Sequence, residues 1–175
     1  FAYPALEQIF SHIAKMANRT RGRVRLPIVI RIPYGGGVGG VEHHCDSSEA
    51  YYAHTAGLKV FTPATVADAY LMLREAIDTQ DPVVFFEPKK LYWSKDAADL
   101  SALRLQYEDS QGGRVGAQGA GQIRRSGTDV SLITYGPSVP TALKAADLAA
   151  EDGLSVEVLD LRSIVPFDDA ALVRT

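Results

Sequence analysis

Two short runs set the strongest limit on how this chain can fold. Leu26 to Ile32 (Leu-Pro-Ile-Val-Ile-Arg-Ile) and Val83-Val84-Phe85-Phe86 are nearly unbroken apolar stretches, rich in β-branched and aromatic side chains. Such runs are how strands look when both faces are covered, as in a parallel sheet. Between them Lys59-Val60-Phe61-Thr62 reads as a further short strand, and a helix opens at Thr65. Asp68, three residues on, resembles a capping box, and Val66, Ala69, Tyr70, Leu73 and Ile77 share one helix face. Before the first run, Pro4 suits a first helical turn, and Leu6, Ile9, Phe10, Ile13 and Met16 recur at helical spacing up to Asn18. Strands alternating with helices predict an α/β fold with mainly parallel sheets.

From about Ser94 to Gly121 charged and small residues dominate, with Gly112, Gly113, Gly116, Gly119 and Gly121 among them. This stretch reads as a linker or surface excursion. Order resumes with Asp129 to Tyr135 as a strand, Ser138 to Asp152 as a helix with Gly153 just past its end, and Leu154 to Leu161 as an alternating strand. Asp168 is placed to cap a helix that has only begun at Thr175. The first residues, Phe1-Ala2-Tyr3-Pro4, include no Met and lack the layout of a signal peptide. A piece of a longer polypeptide, cut at both ends, is therefore expected.

Composition narrows the partners. With 46% hydrophobic and 22% charged residues the chain is ordinary globular material. Its 18 basic and 21 acidic side chains leave a formal charge of −3, which argues against a bulk nucleic-acid binder and against an anionic-membrane binder. No run of about 18 apolar residues predicts a membrane-spanning helix. The single cysteine, Cys45, cannot form an internal disulfide, so nothing calls for an oxidising compartment.

Three constellations could carry chemistry. Gly35 to Gly40 formally satisfies a dinucleotide-binding pattern after a strand. Its context argues otherwise: Val41-Glu42-His43-His44-Cys45-Asp46 does not open an amphipathic helix, and the next strand ends in Thr62-Pro63 without a ribose-binding acid. These glycines fit better as a place where backbone passes close to a ligand or a partner chain. The cluster His43, His44, Cys45, Asp46 and His54 contains the right elements for zinc but the wrong spacing. A Cys–His nucleophile pair is equally poorly served by neighbouring positions. Two solvent-facing histidines on a loop are the plain alternative; the position after a parallel strand is what favours a ligand site. Glu87 and Lys89 follow the third strand as a crevice-lining pair or a surface salt bridge, and both readings stand. The arginines at 19, 21, 23 and 25 read first as a solvated turn and second as a docking surface.

Taken in order, several motifs resemble the β subunit of the E1 component of 2-oxo acid dehydrogenase complexes. They are Phe1-Ala2-Tyr3-Pro4-Ala5-Leu6-Glu7-Gln8-Ile9, Pro33-Tyr34-Gly35-Gly36-Gly37, His43-His44 before Ser48-Glu49-Ala50, and Ala53-His54-Thr55-Ala56-Gly57-Leu58-Lys59-Val60. Asp81 to Lys89 and Asp160 to Asp168 complete the series. The resemblance implies a thiamin-diphosphate-binding pyrimidine domain over 1–93, a linker over 94–121 and the start of a transketolase C-terminal-like domain over 122–175. It implies an α2β2 assembly in which the E1 α subunit holds the diphosphate through magnesium, and delivery of the acyl group to the lipoyl domain of E2, whose core anchors the complex. His44 matches the family's active-site histidine, and Phe1 the aromatic residue against the cofactor. A structural potassium ion would use main-chain carbonyls of Leu26, Ile28, Val29, Ala76, Thr79 and Asp81. Cys45 stands where the family usually has Ser. The cofactor-activating glutamate lies upstream of Phe1 in the family, so this piece alone is expected to be inactive. The Phe85-Phe86-Glu87-Pro88-Lys89 motif resembles branched-chain 2-oxo acid dehydrogenases, and hence branched-chain amino acid catabolism, more than pyruvate dehydrogenases. A non-catalytic nucleotide- or partner-binding module and another thiamin enzyme such as transketolase are the alternatives. The implied compartment is the cytoplasm in a bacterium, or the mitochondrial matrix in a eukaryote.

Overall fold

The computed structural model describes residues 2–40, 42–95, 97–110 and 120–175. Phe1 and the glycines at 112, 113, 116 and 119 lie outside them. Two small sheets organise the chain. The first has the order β1-β3-β2-β7, from β1 (Val29–Tyr34), β2 (Lys59–Phe61), β3 (Val83–Pro88) and β7 (Ser163–Val165). β1 and β2 both run parallel to β3, whereas β7 returns from the far end of the sequence and pairs antiparallel with β2. The second sheet has the order β4-β6-β5, from β4 (Gln122–Arg125), β5 (Val130–Thr134) and β6 (Val156–Asp160). There β5 is parallel and β4 antiparallel to β6. The α/β expectation holds, with one antiparallel strand added to each sheet.

β3 is the central strand that its apolar run predicts. Val84 and Phe86 face one core with Tyr34, Tyr52 and Val60, while Val83 and Phe85 face the other with Phe61, Met72 and Ala76. That alternation is the strand's period of two. The other run behaves differently. Leu26 and Ile28 precede β1 rather than lying in it, and β1 sits at the sheet edge with Arg31 and Pro33 exposed. One face of β1 is covered along its length by the first core, whereas on the other only Val29 packs against the second core. Pro33 has no N–H for a ladder, which suits an edge strand.

The first helix is divided. A 3-10 turn (Tyr3–Ala5) leads into a π-helix (Gln8–Ile13), then α1 (Met16–Arg19). Ala14 N–H bonds back five residues to Ile9 C=O at 2.9 Å. The wide turn brings Ala14 against the bend between α2 (Glu49–Ala53) and β2. Gly57 there has φ +102°, and a Cβ on it would lie 2.0 Å from the Ala14 carbonyl oxygen. Gly57→Ala is expected to cost at least about 1–3 kcal/mol through backbone strain and overpacking, checked by urea unfolding. A midpoint unchanged from wild type would refute this.

α3 (Val66–Asp78) starts as predicted, with Thr65 Oγ1 accepting from Asp68 N–H at 3.1 Å. Its buried face is not the predicted one. Asp68, Leu71, Met72, Glu75 and Ala76 point inward, while Ile77 is exposed. Two of the inward side chains are carboxylates, which a search for apolar periodicity passes over. The stretch read as a linker carries α4 (Leu100–Asp109), capped by Asp99. Its Tyr107 is buried against α3, donating to Asp78 beneath the Arg74 guanidinium. α5 (Val139–Glu151) and α6 (Asp169–Arg174) match expectation, the latter capped by Asp168 Oδ1 accepting from Ala171 N–H at 2.8 Å. Among the described residues, no helix is long and apolar enough to cross a membrane.

Candidate active site

The carboxyl ends of β1, β2 and β3 lie side by side because all three are parallel. Such an edge is where open α/β sheets bind ligands. The segment leaving β1 forms a loop whose base is closed by Gly35 N–H donating to Asp46 C=O at 2.9 Å. The helix that follows begins only at Glu49, so the glycine run does not aim a helix N-terminus at a phosphate. What the glycines supply is room: a Cβ on Gly40 would stand 2.7 Å from the His44 Cβ. Cys45 Sγ donates to Gly40 C=O at 2.7 Å and folds the loop onto itself.

Glu42 and His43 hold left-handed conformations, φ +53° and +61°. Side chains other than glycine rarely adopt these without a surrounding structure that enforces them, and such positions cluster at functional sites. Their effect here is to turn out His44. Its Nδ1 lies 2.7 Å from the Glu42 main-chain oxygen. A carbonyl only accepts, so Nδ1 carries the hydrogen and Nε2 of the neutral ring is left with its lone pair.

Both histidines open onto a cavity of about 480 Å³ lined by Ala2, Tyr3, Ile30 and Ile32 and by the polar groups Arg31, Asp46, Ser48 and Lys89. That size and its mix of apolar wall with a few polar groups suit a small organic ligand. Phe1, the carried-over cofactor contact, lies outside the described residues, though its neighbours Ala2 and Tyr3 line this wall. His54 caps α2 and is not part of the lining. Among the described residues no three of His, Cys, Asp and Glu gather as a metal-binding group.

A smaller cavity, about 280 Å³, lies on the α3 side of the sheet and shares Arg31 as a wall. Its charged groups are already engaged. Glu87 accepts from Arg31 Nε and from the Tyr92 hydroxyl at 2.7 Å, and burial together with Glu87 pushes Tyr92 up to about 12. The partner of Glu87 is thus Arg31 of the neighbouring strand rather than Lys89. No histidine or thiol lines this cavity, so the reactive groups belong to the larger one.

The second sheet packs against the carboxyl ends of β1 and β2. Tyr34, at the end of β1, hydrogen-bonds Thr62 at 2.8 Å and is raised well above the usual phenol range by burial. The turn after β5 packs on that pair, and Gly136 (φ +52°) leaves the space that they fill. Of the potassium positions carried over, Leu26, Ile28 and Val29 lie at the entry to β1, and Ala76, Thr79 and Asp81 lie in α3 and its connection to β3. Leu26 and Ile28 carbonyls already accept main-chain N–H groups. The Lys59 ammonium sits 3.0 Å from Thr79 Oγ1 and 3.2 Å from the Asp81 carboxylate.

Sequence reasoning named His44, which lines the cavity, and did not name Arg31, Tyr3 or Ser48 as lining. The only available signal for Arg31 was a lone charge inside an apolar strand.

Comparison with known proteins identifies two domains along the chain. The model of the transketolase pyrimidine-binding domain matches residues 3–94, and that of the transketolase C-terminal domain matches residues 119–175. The pyruvate dehydrogenase E1 component subunit beta of Leifsonia xyli subsp. xyli is 47% identical over 175 residues, all of this chain and 49% of that protein. The 3-methyl-2-oxobutanoate dehydrogenase subunit beta of Mycobacterium tuberculosis is 47% identical over 169 residues, 96% of this chain and 45% of that protein. The chain thus spans about half the length of these curated relatives. Among solved structures, a split-gene transketolase in an inactive β4 tetramer superposes with a TM-score of 0.70 at 20% identity, over 99% of this chain and 50% of that one. At that identity the likeness concerns the fold. From the matched domain models, this chain belongs to the transketolase family, with a pyrimidine-binding domain followed by C-terminal-domain sequence.

Proposed function

We propose that this chain is part of an E1 β subunit that, with an α subunit in an α2β2 enzyme, decarboxylates a branched-chain 2-oxo acid and passes the acyl group to the lipoyl group of E2. The observation that carries this reading is His44. It is held by the Glu42 carbonyl at the mouth of the cavity of about 480 Å³, with Nε2 uncommitted. In the proposal Ala2 and Tyr3 hold the aminopyrimidine of thiamin diphosphate, and magnesium belongs to the α subunit. When bound, that cofactor supplies the electron sink for decarboxylation. This chain supplies orientation and a proton site: the neutral Nε2 accepts a proton and the protonated ring returns one. A potassium ion on the six main-chain carbonyls stands outside the chemistry. Lys59 already brings positive charge to Thr79 and Asp81, and no step depends on a further cation. The pyrimidine-domain boundary near residue 93, the linker and the second domain from residue 122 belong to the same proposal.

The test is turnover by the full-length subunit assembled with its α partner. Oxidation is expected to require thiamin diphosphate and to favour 3-methyl-2-oxobutanoate over pyruvate by at least about tenfold in kcat/KM, since pocket fit is worth about 1–3 kcal/mol per methylene. Turnover that ignores the cofactor would overturn the reading. A preference for pyruvate would assign the pyruvate-type enzyme, which the relative from Leifsonia xyli favours equally at 47% identity.

A further inference from the structure

Lys89 is an anomaly in the charge inventory. It is the first residue of the 3-10 turn Lys89–Leu91 that leaves β3, and the pairing of Tyr34 with Pro88 fixes it beside the loop of His44. It is partly buried and lines the same cavity as His43 and His44. Among the described residues, the other cations that are partly or fully buried are Lys15, Lys59, Arg124, Arg125 and Arg162. Each of them has a main-chain acceptor or a carboxylate within reach. Lys89 has neither. A half-buried ammonium without a counter-charge is costly, and a binding site is where such a cost persists.

The rest of the lining defines the anion. Arg31 is neutralised by Glu87, so it does not compete. Asp46 contributes a negative charge to the lining, which disfavours a multiply charged group such as a diphosphate. The hydrocarbon of Ile9, Ile30 and Ile32 lies alongside. One negative group on a short aliphatic body is the ligand that these walls complement. We propose that Lys89 is the residue that recognises the carboxylate of the 2-oxo acid, a reading that rests on the function proposed above. Lys89 binds and orients the acid group, while His44, in the same cavity, handles the proton.

The assembled full-length enzyme tests this with Lys89→Met and Lys89→Arg. The probes are 3-methyl-2-oxobutanoate in turnover, and 2-hydroxy-3-methylbutanoate and its uncharged amide in calorimetric binding. Lys89→Met is expected to raise KM for the oxo acid and weaken the hydroxy acid by about 10- to 100-fold, the range for a lost charged hydrogen bond. The amide should bind as before, Lys89→Arg should recover part of the loss, and half-saturation by thiamin diphosphate should stay put. Equal weakening of acid and amide, no weakening of either, or a shift in cofactor half-saturation instead would each overturn the assignment. If Lys89→Met behaves like wild type while turnover still needs thiamin diphosphate, only the role of Lys89 falls. If the unmodified assembly shows no such turnover, the proposed function falls.

Discussion

His44→Ala is expected to lower turnover of the assembled enzyme by about 10²–10⁴-fold, the usual range for losing a positioned proton-transfer group. The loss should appear in kcat, with KM and thiamin diphosphate half-saturation little changed, because the side chain is exposed and its one bond is to the Glu42 carbonyl. Assembly should also survive, since no core residue packs through it. His44→Gln separates two roles. A glutamine amide can donate a hydrogen bond from a similar position but cannot carry a proton through the cycle. If proton transfer is what matters, the glutamine variant should be as slow as alanine. If a hydrogen bond to developing charge is enough, it should recover activity. Wild-type-like oxidation of 2-oxo acids by His44→Ala would remove the catalytic assignment altogether.

Much of what positions His44 was legible in the sequence, and the limits have physical causes. β2, β3, α5 and the Asp168 cap were readable because each is encoded locally, by an apolar run, a helical stripe or a cap residue. β7 was not. It has three residues, and its partner β2 is about a hundred positions away, so nothing local marks it. α4 was hidden by the charged, glycine-rich sequence around it, although Asp99 with Leu100, Leu103 and Tyr107 is a cap and a helical stripe. In the site, the residue type of His44 and its neighbours suggested a function. What could not be read was the left-handed backbone at Glu42 and His43, because neither residue advertises a positive φ as glycine does. The sequence offers Glu87 its near neighbour Lys89, as a crevice-lining pair or a salt bridge. The register of β1 against β3 brings Arg31 to it instead, and register is a tertiary property.

The buried face of α3 was misread for the reason that makes the second prediction large. Asp68 and Asp160 are almost wholly buried, and Arg124 of β4 bridges them. Its Nη2 lies 2.8 Å from Asp160 Oδ2 and also contacts Asp68. Arg162 Nε adds an ion-pair contact to Asp68 at 3.0 Å, without the alignment of a hydrogen bond. The cluster ties the second sheet to α3 of the first. Arg124→Met removes the cation that serves both carboxylates, so it is expected to destabilise the chain by about 3–5 kcal/mol at pH 7, the range for breaking a buried pair from one side. Acid should relieve part of that loss. Burial already raises the pKa of Asp160, Asp68 raises it further, and Arg124 opposes both. Without Arg124 the folded-state value rises again. A carboxyl whose pKa is higher folded than unfolded binds more protons in the folded state between the two values. It favours folding below its unfolded pKa and loses that contribution as pH rises through the folded one. The penalty of Arg124→Met should therefore shrink as urea unfolding is repeated from pH 7 down towards pH 4. A loss below about 1 kcal/mol at pH 7 would mean that the cluster behaves like a surface pair. A penalty that fails to shrink on acidification would mean that the carboxylates keep their charge without the arginine.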